Sequence, residues 1–212
     1  GGAEEDGEPP AKRARGEEEA LAEGEVDAPD DGRETLAAAV GIGAHDCTLN
    51  VVATSGGRLL SALSDAGMQY LLAGARADTG VRSGRYMFEV RIVGMFNPVE
   101  TGRRSAPSAP RQHVRVGFSA AGSSLFLGDG AEGAGFDSEG FFIADNKRSP
   151  VGRRFTRDQV VAVLLNLEEG GPNAHTVSLF VDGARASPPQ RLPPGLRGKA
   201  LHPHVCFRNV SL

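Results

Sequence analysis

Tyr86-Met87-Phe88-Glu89-Val90-Arg91-Ile92-Val93 decides how this chain is read. Phe88, Val90 and Ile92 fall on one side of an extended backbone, and Glu89 and Arg91 on the other. A period of two marks a half-buried strand. Outward from it, His113-Val114-Arg115-Val116-Gly117-Phe118 alternates in the same way, with Val114, Val116 and Phe118 expected inward. Val160 to Leu167 is apolar except for Asn166, which fits a strand covered on both faces. Val177-Ser178-Leu179-Phe180-Val181 runs into Asp182-Gly183, a strong hairpin dipeptide. His204 to Val210 reads as one further strand, while Gln69 to Gly74 suits a helical turn or a strand equally. No amphipathic helix of useful length and no internal repeat stands out. Many short strands with frequent turns predict an all-β fold, a two-sheet antiparallel sandwich over residues 40–212.

Composition sets the bounds. Gly 29 and Pro 13 among 212 residues predict many turns and long loops. No apolar run reaches about 18 residues, which excludes a membrane-spanning helix. No secretory leader is visible at Gly1-Gly2-Ala3-Glu4-Glu5-Asp6. Two cysteines, Cys47 and Cys206, exclude a disulfide scaffold and read as reduced thiols.

The net charge of −4 hides two opposite parts. Residues 1–35 hold 13 Asp/Glu and 4 Lys/Arg, whereas residues 36–212 hold 14 and 19. The first part lacks Phe, Tyr and Ile, so it buries too little apolar area to offset its ordering entropy and is expected to be a disordered acidic tail. Within it, Lys12, Arg13 and Arg15 follow Pro9-Pro10. Spaced cations on an extended segment fit the acidic pockets of an import receptor, so a nuclear location is expected. Two loops are long and basic. Residues 94–112 carry Arg103, Arg104 and Arg111, and residues 183–199 carry Arg191, Arg197 and Lys199. Direct RNA or DNA contact through those six cations is the alternative function, weakened by the lack of aromatics for base stacking.

Four motifs in order resemble SPRY domains. They are Gly80-Val81-Arg82-Ser83-Gly84-Arg85-Tyr86-Met87-Phe88-Glu89-Val90, then His113 to Ser119, then Val181-Asp182-Gly183, then Leu201-His202-Pro203-His204-Val205. Asp46-Cys47-Thr48-Leu49 and Leu72-Ala73-Gly74-Ala75-Arg76-Ala77 are similar to the SPRY domain of the heterogeneous nuclear ribonucleoprotein U family. The resemblance implies a concanavalin-like jelly roll ending one strand short of the family pattern. It implies a non-catalytic module that recognises a partner peptide through edge loops, in RNA-processing or chromatin-associated complexes. By the same resemblance Arg82 and Arg115 would hold an acidic or phosphorylated peptide, and RNA would be met through the parent protein. A monomeric domain without cofactor is expected.

Motifs for other chemistry are missing. No GxxxxGK[ST] loop, no HExxH, no CxxC and no GxSxG occurs. His202 and His204 are two apart and share a strand face, but a turn around Pro203 with one partly buried histidine is the plainer reading. The acidic tail also predicts a fold-back onto the Arg82 and Arg115 surface, weakened by salt.

Overall fold

The computed structural model describes residues 32, 39–97 and 112–212. The tail, apart from Gly32, therefore lies outside the described residues, with Lys12, Arg13 and Arg15. So do Arg103, Arg104 and Arg111 of the first basic loop.

Sixteen strands follow one another in the described residues. They are β1 (Ile42–Cys47), β2 (Val51–Thr54), β3 (Leu59–Ala62), β4 (Ala73–Ala77), β5 (Arg85–Arg91) and β6 (Gly94–Met95). Then come β7 (His113–Ala120), β8 (Gly133–Asp137), β9 (Phe141–Ala144), β10 (Lys147–Pro150), β11 (Val160–Asn166) and β12 (Thr176–Val181). The last four are β13 (Ala184–Arg185), β14 (Gln190–Arg191), β15 (Leu201–Arg208) and β16 (Val210–Ser211).

All pairings are antiparallel, in the order β1-β4-β15-β7-β8-β9-β10 for the large sheet and β13-β12-β11-β5 for the second. A small sheet, β2-β3-β16-β6, closes one end. The two main sheets meet through their apolar faces. Val114, Val116, Phe118, Val205 and Phe207 from the large sheet join Val161, Val163, Leu165, Val177 and Leu179 from the second in one core. Phe88 meets Phe118 edge to face at 5.2 Å. Each such side chain contributes roughly 1.5–3 kcal/mol when fully buried, so alternation along these strands is what binds the two layers.

The ambiguous Gln69–Gly74 stretch is both of its options in succession. Met68–Tyr70 forms a 3-10 turn, and β4 begins at Ala73. Asp182 and Gly183 take φ of 52° and 77°, as a two-residue hairpin turn with both central residues left-handed requires. The expected single strand from His204 to Val210 is corrected. Pairing starts at Leu201 and breaks at Asn209, where φ is 54° and the chain passes from β15 into β16. Asparagine tolerates that conformation better than most residues.

Residues 183–199 also differ from expectation. They are no open loop. β13 and β14 both pair with β12, a 3-10 turn spans Pro194–Leu196, and Leu192 and Leu196 are buried in the core. The two leucines anchor a stretch that composition alone reads as proline-rich and solvated.

Candidate outer-face binding site

β4, β15 and β7 present their second faces outward. Gly74 and Arg76 come from β4, His202, His204, Cys206 and Arg208 from β15, and His113, Arg115, Gly117 and Ser119 from β7. Residues 121–132 arch over this face. Leu127 drops into a small second core with Ile143 and Cys206. A Cβ on Gly74 would stand 1.9 Å from the Leu125 carbonyl oxygen, so the arch rests directly on the glycine backbone.

Arg76 ties the arch down. Its guanidinium is fully buried. Nη2 donates to the carbonyls of Ser123 and Ser124 at 2.7 and 3.1 Å, and Nε donates to Ser119 Oγ at 2.9 Å. Its ion pair with Asp46 is longer, at 3.4 Å. Ser119 Oγ is 2.8 Å from His204 Nδ1, and His204 Nε2 is 3.2 Å from the Leu125 carbonyl. A carbonyl only accepts, so Nε2 carries the proton and Nδ1 accepts from Ser119. Burial, with the Arg76 charge second, pushes His204 down to about 3, so the ring stays neutral. Ser119 and His204 are each 1% exposed, and this serine–histidine pair has no path to a substrate. Burial drives the Cys206 thiol up to about 12, a structural cysteine within reach of Leu125 and Leu127.

The other end of the face differs. Arg115 Nη1 donates to the Leu127 carbonyl at 2.7 Å, and Nε donates to His113 Nε2 at 3.1 Å. With Nε2 accepting, the neutral imidazole holds its proton on Nδ1. That buried Nδ1–H has no hydrogen-bond partner. Burial first, and the Arg115 charge second, lower His113 to about 4. Arg208 stands opposite His113 across the strands. Its pKa is lowered by burial and then by the like charge of Arg115.

Two carboxylates stand near Arg115. Asp129 lies 3.5 Å from Arg115 but is mostly exposed. Asp137, the cross-strand partner of Arg115, already accepts from the Glu139 and Phe141 amides and from Arg148 Nε at 2.7 Å. Arg148 is also bound to Glu139. Around the two arginines stand exposed apolar residues, Tyr70, Leu71 and Phe126. Arg208 Nη1 reaches the Tyr70 carbonyl, and Phe126 precedes Leu127 in the arch. Two guanidinium groups thus stand on one face beside a buried histidine and apolar surface.

The remaining expected residues lie elsewhere. Arg82 is exposed and follows Val81, which bridges to Leu201. Arg115 pairs with Cys206, five residues further along β15, so the two arginines are separated by about 17 Å of strand. They share no site. Arg191 and Arg197 are exposed on the second basic segment, and Lys199 pairs with Glu132 at 2.8 Å. His202 Nδ1 is 3.0 Å from the Ala77 carbonyl. His204 is fully buried rather than partly so. Among the described residues no group of three His, Cys, Asp or Glu is placed to hold a metal. Arg208 was missed because it belongs to no motif, and His113 because its motif marks it as a strand residue only. Only the strand register, with Arg208 opposite His113, brings them to Arg115.

A second concavity of about 400 Å³ opens between the sheets at β1 and β5. Val40, Ala75, Phe88, Val90 and Leu212 make it mainly apolar, and Arg58 and Arg91 stand at its border.

No family profile matches the chain. Solved structures do. The SPRY domain of human HERC1 superposes with a TM-score of 0.58 at 17% identity, over 81% of this chain and 94% of that one. A second human SPRY domain gives 0.52 at 15% identity, over 78% and 93%. The likeness is one of fold, and the antiparallel sandwich described above is the SPRY sandwich.

Proposed function

We propose that this chain is a non-catalytic protein-interaction domain whose docking surface is the Arg115 end of the outer face. The observation that carries the reading is the placement of Arg115 and Arg208 on one face beside His113, next to exposed apolar residues. Function on a sandwich resides in such surface sites and not in the fold. The partner would present a carboxylate or phosphate next to an aliphatic or aromatic residue. Arg82, at the far end of the strands, has no part in that contact. The opening motif and the Lys12-Arg13-Ala14-Arg15 run favour a nuclear setting in a ribonucleoprotein U-like parent. The nucleic-acid alternative is less favoured, since the second basic segment is folded against β12 and Lys199 is paired.

The test is fluorescence anisotropy with two labelled peptides of one Leu/Glu-rich sequence, one of them carrying phosphoserine. Binding by the wild type, lost in Arg115→Ala and kept in Arg82→Ala, supports the reading. Equal loss in both variants, or tighter binding of an oligouridine than of either peptide, overturns it.

A further inference from the structure

We infer that Ser149 is a modification site of this chain, the acceptor of a phosphoryl group from a proline-directed protein kinase. The inference stands apart from the docking surface proposed above.

The residues supply two candidates and the fold divides them. The chain holds two Ser-Pro dipeptides, Ser149-Pro150 and Ser187-Pro188, and no Thr-Pro. A proline after the acceptor has no N–H, so it suits a kinase cleft that offers that position no hydrogen-bond acceptor. Ser187 is 3% exposed, and its Oγ accepts the Leu179 N–H at 3.0 Å. That hydroxyl reaches another enzyme only if the core around Leu179 opens. Ser149 is the opposite case. Every residue from Asp145 to Pro150 is exposed.

Backbone makes the second argument. The acceptor oxygen must come in line with the γ-phosphorus, which takes an exposed hydroxyl on accessible backbone. Ser149 lies in β10, opposite Phe142 of β9. β10 ends the seven-stranded sheet and, among the described residues, pairs with β9 alone. Presenting Ser149 therefore asks for the opening of one edge hairpin while the core stays closed, a local opening of the kind that folds permit. Pro150 suits the same place, since proline in a sheet belongs at edges, where no ladder hydrogen bond is lost.

Charge makes the third. Residues 147–154 contain Lys147, Arg148, Arg153 and Arg154 and no acid. Lys147 precedes Ser149 by two residues, so both fall on one face of β10. A phosphate of nearly two negative charges gains a charge-assisted contact there and cancels about half the charge of the run.

In the step itself, Ser149 Oγ attacks the γ-phosphorus of ATP. The Oγ–P bond forms and the bond from that phosphorus to the β,γ-bridging oxygen breaks. The hydroxyl proton passes to the catalytic carboxylate of the kinase, and ADP leaves.

The experiment incubates the full chain with magnesium ATP and an active cyclin-dependent kinase, and locates phosphate by mass spectrometry. Synthetic peptides of residues 145–154 and 183–192 run in parallel. Both peptides should accept phosphate, whereas the full chain should accept it at Ser149 and not at Ser187. Ser149→Ala should remove that label. Pro150→Ala, at an exposed edge position, should be labelled roughly tenfold more slowly, the effect of one N–H left without an acceptor in the kinase cleft.

A peptide 145–154 that accepts phosphate beside a full chain unlabelled at Ser149 overturns the proposal, because the fold then withholds the site. A peptide 145–154 that is no substrate overturns it too, because the residues around Ser149 are then not read. Equal labelling of Ser149 and Ser187 in the full chain removes the argument from exposure and overturns it as well. Pro150→Ala labelled at the wild-type rate overturns the assignment to a proline-directed kinase.

Discussion

Arg76 and Arg115 lie on the same outer face, two strands apart, and do opposite things. Arg76 is fully buried, and its guanidinium is divided among two arch residues, Ser119 of β7 and Asp46. Arg115 keeps about a quarter of its side chain exposed, with a second arginine on the same face and a 3.5 Å contact to exposed Asp129. The difference is how completely the arch covers the guanidinium. Where it does so fully, every donor is used by the fold. Arg115 gives the arch a bond to the Leu127 carbonyl and a long contact to Asp129, and keeps part of its side chain exposed. An arginine in a strand motif is thus not a binding residue by type; its neighbours decide.

The largest effect expected is at the covered end. Arg76→Met leaves the Ser123 and Ser124 carbonyls and Ser119 without their donor and should cost about 3–5 kcal/mol in urea unfolding. Arg76→Met within 1 kcal/mol of wild type would erase the contrast between the two arginines. Next, Gly74→Ala places a methyl group against the Leu125 carbonyl. Forcing backbone apart in a packed region costs about 1–3 kcal/mol, and the lifted arch should make Cys206 reactive to a thiol reagent under native conditions.

The histidines give a pH signature of about the same size. His204 and His113 have folded values of about 3 and about 4, below that of a free imidazole. The unfolded chain therefore takes up protons first as pH falls. Their stabilisation is full above about pH 6.5 and declines towards pH 4 and 3, by up to about 1.4 kcal/mol per pH unit for each ring. His204→Gln should flatten the slope of unfolding free energy between pH 7 and 5. A slope equal to that of wild type would mean the ring is not buried as described.

The open end should show the reverse balance. Arg115→Ala costs about 1 kcal/mol, the loss of two hydrogen bonds partly replaced by water, yet removes binding of the acidic peptides. Smallest of all, Arg82→Ala should stay within about 0.5 kcal/mol and leave binding intact, as expected of an exposed residue outside the site.

The strands were legible because alternation survives in the residues themselves. Val114, Val116 and Phe118 face the core as their spacing requires. The Asp182-Gly183 turn was legible because few residue pairs accept left-handed backbone at both positions. The basic segment of residues 183–199 was misread because Leu192 and Leu196 carry no period, and two isolated leucines reveal their burial only when a core waits for them.

By itself the amino-acid sequence determined the all-β sandwich, the hairpin and the charge division between tail and domain, since these follow from local periodicity and composition. Only the tertiary structure decided which charges are available. It separated Arg82 from Arg115, buried Arg76 beneath an arch, and set Arg208 and His113 beside Arg115. Those relations are made by register between strands far apart in the chain. A one-residue slip in that register would turn every one of these side chains to the other face.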